Sequence, residues 1–245
     1  MQHLLRKQII SIALLLLANS SVNAQKNEVF RPDYDQMPTH IGAFLGIGIN
    51  HLNFERTSTF TLPSNVNASD VSSPNDIHVN LGISGSVRLT NTFLLRSGLM
   101  LQLNNKTIDY KLQDVSSSMG ISSIIATIPL VLKMQSNRYN AFGYKSMMRH
   151  YIFGGGNAAF DRSVQIKNAP ISTSAVSNPK YLKGTNLGYE YGFGLSFFLR
   201  YVTISPEIKF SYGLSDINDK SDTQLLDNIN KISSNLINFS IHIEN

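Results

Sequence analysis

Three sets of side chains in this chain are of types that do chemistry. His78, Ser84 and Glu190 would supply a base, a nucleophile and an orienting carboxylate for hydrolysis or acyl transfer. They lie far apart and match no local signature. The run Gly154-Gly155-Gly156 has the composition of a phosphate cradle, but no Gly-Lys-Ser/Thr follows it, so it reads as packing space. Asp216, Asn218 and Asp219 resemble part of a calcium loop, but the turn glycine and the bidentate glutamate are missing at the required spacing. The chain has no Cys, which removes disulfides, thiol chemistry and Cys-ligated metals. No catalytic residue, cofactor or metal site is expected, and the protein is read as a non-enzyme.

A fourth set is charged and depends on the elements that carry it. After residue 40, segments of ten to sixteen residues alternate apolar and polar side chains, and turn-rich stretches separate them. Eight can be counted: His40–Phe54, Ile77–Leu89, Phe93–Asn104, Ser123–Met134, Arg149–Phe160, Asn186–Arg200, Val202–Tyr212 and Asn235–Glu244. Ile77, Val79, Leu81, Ile83, Val87 and Leu89 alternate with His78, Asn80, Gly82, Ser84, Ser86 and Arg88, the cleanest case. Ser123–Met134 is apolar on both faces, yet its β-branched content and Pro129 argue for a strand over a helix. The apolar faces are almost unbroken and carry bands of Tyr and Phe. That combination, with an even strand count, describes an all-β, eight-stranded antiparallel transmembrane barrel better than a half-buried soluble sheet.

The connections between these segments alternate. Links 55–76, 105–122, 161–185 and 213–234 are long; Thr90–Thr92 and Tyr201 are short, and 135–148 is intermediate. Outer-membrane barrels have short periplasmic turns and longer external loops, so both termini are expected in the periplasm.

The facing pattern then gives the charged set its meaning. Arg88, Arg96, Lys133, Arg200 and Lys209 point inward with Glu190, Glu207 and Glu244. Charge in a narrow, dry lumen must be paired and hydrogen-bonded, so a structural ion network is expected. The bases outnumber the acids, and Glu28, Asp33 and Asp35 in the preceding segment would partly offset the surplus at the mouth. Eight strands leave room only for side chains, so an open pore is not expected.

Residues 1–24 read as a cleaved signal peptide: a basic start (Arg6, Lys7), the apolar run Ile9–Ala18, and Val22 and Ala24 before the cut at Gln25. Residues 25–39 form a periplasmic N-terminal segment and 40–245 the barrel. Without Arg6 and Lys7 the mature chain has 19 basic against 16 acidic residues, a net charge of +3 that gives no argument for nucleic acid. Beyond the signal no apolar run is long enough for a membrane helix.

An ordered set of short motifs resembles one family. Arg31-Pro32-Asp33-Tyr34-Asp35, His40-Ile41-Gly42 and Leu45-Gly46 are followed by Ser73-Pro74, Val87-Arg88-Leu89, Leu95-Arg96 and Ile128-Pro129-Leu130-Val131-Leu132-Lys133. Tyr189-Glu190-Tyr191-Gly192-Phe193-Gly194 and Ser205-Pro206-Glu207-Ile208-Lys209-Phe210-Ser211-Tyr212-Gly213 complete it. The set resembles the PorT proteins, outer-membrane barrels of the type IX secretion and gliding systems of Bacteroidetes. The resemblance implies an accessory of cargo export that works by docking or assembly, with protein partners in a secretion complex besides outer-membrane lipid and no small-molecule substrate. Pro32, Asp33, Tyr34, Asp35 and His40 are expected to contribute to partner contact or mouth closure. The alternatives are a generic structural or adhesive barrel and a lipid A-modifying barrel enzyme.

Overall fold

The computed structural model describes residues 29–56, 68–112, 115–161, 165–167, 184–216 and 229–245. The expected signal peptide, Glu28, and Asn218 and Asp219 lie outside the described residues. A 3-10 turn, Pro32–Asp35, comes first. The strands are β1 (Thr39–Arg56), β2 (Ala68–Ser72), β3 (Asp76–Arg88), β4 (Phe93–Leu112), β5 (Val115–Gln135), β6 (Tyr139–Ala141), β7 (Tyr144–Asp161), β8 (Gln165–Lys167), β9 (Thr185–Phe198), β10 (Thr203–Gly213) and β11 (Ile229–Glu244).

Eight of these are long, and each pairs antiparallel with its neighbour in the cycle β1-β3-β4-β5-β7-β9-β10-β11. β11 returns to β1 through an extended register running from Gly42 opposite Glu244 to His51 opposite Asn235. The ring is therefore closed and has no free edge within the wall. Stepping sideways from Asn186 leads through Ala159, Thr127, Met100, Gly82, Phe44, His242 and Ser205. The hydroxyl of Ser205 meets that of Ser196, back on β9 and ten residues from the start. A stagger of ten over eight strands tilts them by about 40°, from ~3.3 Å per residue and ~4.8 Å between strands.

The period-two pattern maps directly onto this wall. Ile77 is 72% exposed and Ile41 66%, while His78, Asn80 and His40 are each 1% exposed. The outward band of Ile, Leu, Val, Phe and Tyr is continuous around the barrel, the property of a lipid-facing surface. Ser123–Met134 forms part of β5, with Ile124, Ile128, Leu130 and Leu132 outward and Ile125 and Val131 buried. It reads as apolar on both faces because two of its lumen positions are apolar too.

The structure corrects two expectations. The link 105–122 is not a loop: β4 and β5 run on as a paired hairpin to Leu112 and Val115. Its pairing to β3 ends at Leu103 and to β7 at Ile125, so the hairpin stands beyond the wall, flanked by β2 and β8. Asn104-Asn105-Lys106-Thr107 and Ser116-Ser117-Ser118 are polar runs without alternation, which hides the strands from periodicity. The second correction concerns Arg200. β9 ends at Phe198, and Arg200 lies in the exposed turn that leads into β10, not in the lumen.

Candidate functional site: the charged lumen and its plugged mouth

Glu207 on β10 and Arg96 on β4 sit across the lumen from one another. Arg96 donates to both carboxylate oxygens, at 2.7 and 3.1 Å. The Tyr151 hydroxyl donates to the same Oε2 at 3.0 Å, and His242 Nε2 lies 3.6 Å from Oε1. A second cluster is offset toward the loop end. There Lys209 Nζ stands 3.7 Å from Glu190 Oε2, to which Asn157 donates at 3.0 Å. Lys133 makes no ion pair among the described residues; its ammonium lies 3.8 Å above the Tyr151 ring. Arg96 likewise covers the Phe153 ring at 4.7 Å. Cation–π contact and a bidentate pair are the two arrangements that make buried cations tolerable without bulk water.

Backbone economy makes room for these aromatics. Tyr151 lies opposite Gly194 and Phe153 opposite Gly192 across the β7–β9 pair. A Cβ at Gly192 would come within 2.5 Å of Phe153 Cζ, and one at Gly194 would overlap the Tyr151 ring. Gly155, in the triple-glycine run, is a strand position packed against Leu130 and Val131. The other candidate chemistry does not assemble. His78 Nε2 is held 2.6 Å from Asn238 Oδ1, and the Glu190 carboxylate is engaged by Asn157 and Lys209. Asp216 accepts from the backbone N–H of Ile232. No group of three or more potential metal ligands exists among the described residues.

The mouth at which β1 begins and β11 ends is closed by the chain itself. Arg31, at φ 49°, turns the segment into Pro32–Asp35, and Tyr34 drops into the lumen, only 3% exposed. Its hydroxyl donates to Glu244 Oε2 at 2.6 Å. Its ring stacks on His40 at 4.0 Å and meets the edge of Phe198 at 5.2 Å. Burial, reinforced by the Glu244 carboxylate, pushes the Tyr34 phenol well above its ordinary value. Arg31 donates to the Glu244 carbonyl at 3.1 Å.

Three arginines of the wall and rim grip this plug. Arg88 donates to the carbonyls of Tyr34 at 3.0 Å and Met37 at 3.2 Å, and also to that of Asp35. Arg138 donates to the carbonyls of Phe30 at 2.8 Å and Arg31 at 3.0 Å. The Asp35 carboxylate bridges Arg138 Nε and Arg149 Nη2, each at 2.6 Å. Tyr34 and His40 are thus interior groups that close the mouth and offer no surface to a partner. Pro32 and Asp33 are exposed. Of the two described acids expected near the mouth, Asp33 and Asp35, Asp35 pairs with Arg138 and Arg149.

Sequence reasoning missed Arg138 and Arg149 as plug contacts, and Tyr151 and Phe153 as lumen fillers. Alternation places Arg149, Tyr151 and Phe153 on one face, which was the available signal for those three. Arg138 lies outside the alternating segments and carries no such mark.

A family model described as the outer membrane protein beta-barrel domain matches residues 23–219. No curated protein matches the chain. Similar solved structures include the outer membrane protein OprG of Pseudomonas aeruginosa, at TM-score 0.48 and 12% identity over 84% of this chain and 94% of that one. Neisserial surface protein A matches at TM-score 0.43 and 11% identity, over 84% of this chain and 97% of that one. Ail of Yersinia pestis matches at TM-score 0.34 and 8% identity, over 85% of this chain and all of the other.

Proposed function

The chain belongs to the outer membrane protein beta-barrel domain family, and from that premise we propose that it is a closed barrel acting through its two exposed ends, as a structural or adhesive element of the outer membrane, and neither as a pore nor as an enzyme. One observation carries this reading: charged and aromatic side chains fill the lumen from Glu207 to the mouth that Tyr34 seals, and leave a recess of only about 50 Å³ toward the loop end. A filled lumen leaves a small barrel only its lipid face, its plugged mouth and its protruding hairpin with which to act. The short turns favour placing the termini in the periplasm and the β4–β5 hairpin outside the cell. Reconstituted in a planar lipid bilayer, the purified barrel should carry no stable single-channel current. A steady open channel would overturn the reading.

A more specific role rests on the resemblance to PorT proteins, namely support of type IX secretion by docking to protein partners. One observation favours it. Arg31, Tyr34, Asp35 and Arg88, all within the shared motifs, meet in the plugged mouth, where the exposed Pro32 and Asp33 are presented outward. Loss of cargo secretion in a deletion strain, with an otherwise intact envelope, supports this role; normal secretion with a leaky or non-adherent envelope leaves the structural role alone.

A further inference from the structure

At the terminal mouth, beside the plug, lies a recess of about 510 Å³ lined by Arg88, Arg138, Arg149 and Asp35 among polar neighbours that include Asn137 and Ser146. Three guanidinium groups face a single carboxylate. Asp35 engages two of them, and the described partners of Arg88 are main-chain carbonyls and His40, which bring no negative charge. Arg149 has a side chain only 6% exposed, and its Nε and Nη1 have no hydrogen-bond partner although they are buried. A guanidinium offers five donors in a fixed fork, and leaving some of them unpaired in a sheltered site is costly.

The same groups already show what they bind. Asp35 bridges Arg138 and Arg149 with one carboxylate oxygen on each, the geometry in which two arginines hold an oxyanion. Charge and donors both remain after Asp35 is counted. We propose that this recess binds a phosphate-type oxyanion, held by Arg88, Arg138 and Arg149 beside Asp35. Burial and the nearby Arg149 lower the Arg138 pKa below the usual arginine value despite Asp35, a strain that an added anion relieves. The ligand is either a free phosphate-bearing solute or the phosphate of a lipid headgroup at the membrane edge; both present the same chemistry to the arginines.

The test uses the full barrel, refolded in a zwitterionic detergent and titrated calorimetrically with inorganic phosphate, with chloride at matched ionic strength as the control. Saturable phosphate binding is expected, weakened about ten-fold or more by Arg149→Gln and by Arg138→Gln, since each removes a charge-assisted contact. Asp35→Asn keeps all three arginines and removes the internal competitor, so it should tighten binding. Heat-modifiability on a gel reports whether each variant is folded. A parallel titration in phosphatidylcholine nanodiscs separates the sources, because every lipid there carries a headgroup phosphate while the detergent, chosen without phosphorus, carries none. Phosphate binding that is present in detergent and suppressed in nanodiscs identifies a headgroup site, and equal binding in both a site for a free solute. No saturable binding, equal binding of chloride, or phosphate affinity unchanged in folded Arg149→Gln and in Asp35→Asn would overturn the proposal.

Discussion

Glu207 joins three lumen groups, Arg96, Tyr151 and His242, each from a different strand. Removing one member of such a buried pair strands the other, which costs about 3–5 kcal/mol, whereas removing both costs much less. Glu207→Ala should therefore destabilise the barrel strongly in urea titrations from lipid vesicles, and adding Arg96→Leu should restore a large part of the loss. Additive losses would mean the pair is not coupled. Tyr34 permits a pH test. Its phenol is raised above the unfolded value near 10, so its contribution is complete below that pH and is lost as pH rises through the higher folded value. Alkaline titration by ultraviolet absorbance, wild type minus Tyr34→Phe, should show a tyrosine ionising well above pH 10; an ionisation at the ordinary value would mean the ring is not buried. Residues on alternating faces were legible in sequence: Arg96, Lys133, Glu190, Glu207 and Lys209 are all buried in the lumen. The depth of Tyr34 was not, because it is set by contacts with Glu244 and Phe198, some two hundred residues away in one case and more than a hundred and sixty in the other.

At the scale of elements, the eight wall strands follow from alternation because lipid and lumen impose opposite demands on successive side chains. Where that demand stops, so does the signal. The β4–β5 hairpin continues for eight residues beyond Asn104, roughly 25 Å at strand rise; Ile108, Tyr110 and Leu112 alternate with Asp109 and Lys111 there, but the polar run Asn104–Thr107 separates them from the wall pattern. The β7 end is similar: the strand begins at Tyr144, five residues before the alternation is evident, and pairs there with the short β6. The hairpin's outer half is flanked by β2 and β8 and is tied to the wall at Thr107, whose N–H and hydroxyl donate to the Asp76 carboxylate at the start of β3, so replacing residues 108–119 by a short turn should leave the barrel folded. Heat-modifiability equal to wild type is the expected result, and loss of the folded band would show that the hairpin supports the wall. Any adhesive activity carried by the hairpin should fall with the same deletion.

For the whole molecule, closure of the ring, filling of its interior and seating of the leader act together. β11 pairs with β1 only once the last strand is made, and the same Glu244 that ends β11 then receives Tyr34 and Arg31. The leader thus reads as a late-docking plug, fixed after the wall exists, a dependence that no local sequence pattern encodes. The chain has no cysteine, so one introduced thiol gives an unambiguous signal. Ser205 is fully buried, lies on the lumen face of β10 and sits two residues from Thr203, which receives a hydrogen bond from Arg31 of the plug. The decisive measurement is the rate at which a small charged thiol reagent labels Ser205→Cys in the folded barrel, compared with the urea-unfolded chain. A filled and plugged lumen predicts labelling slower by orders of magnitude when folded; labelling at the unfolded rate, with the barrel still heat-modifiable, would contradict it.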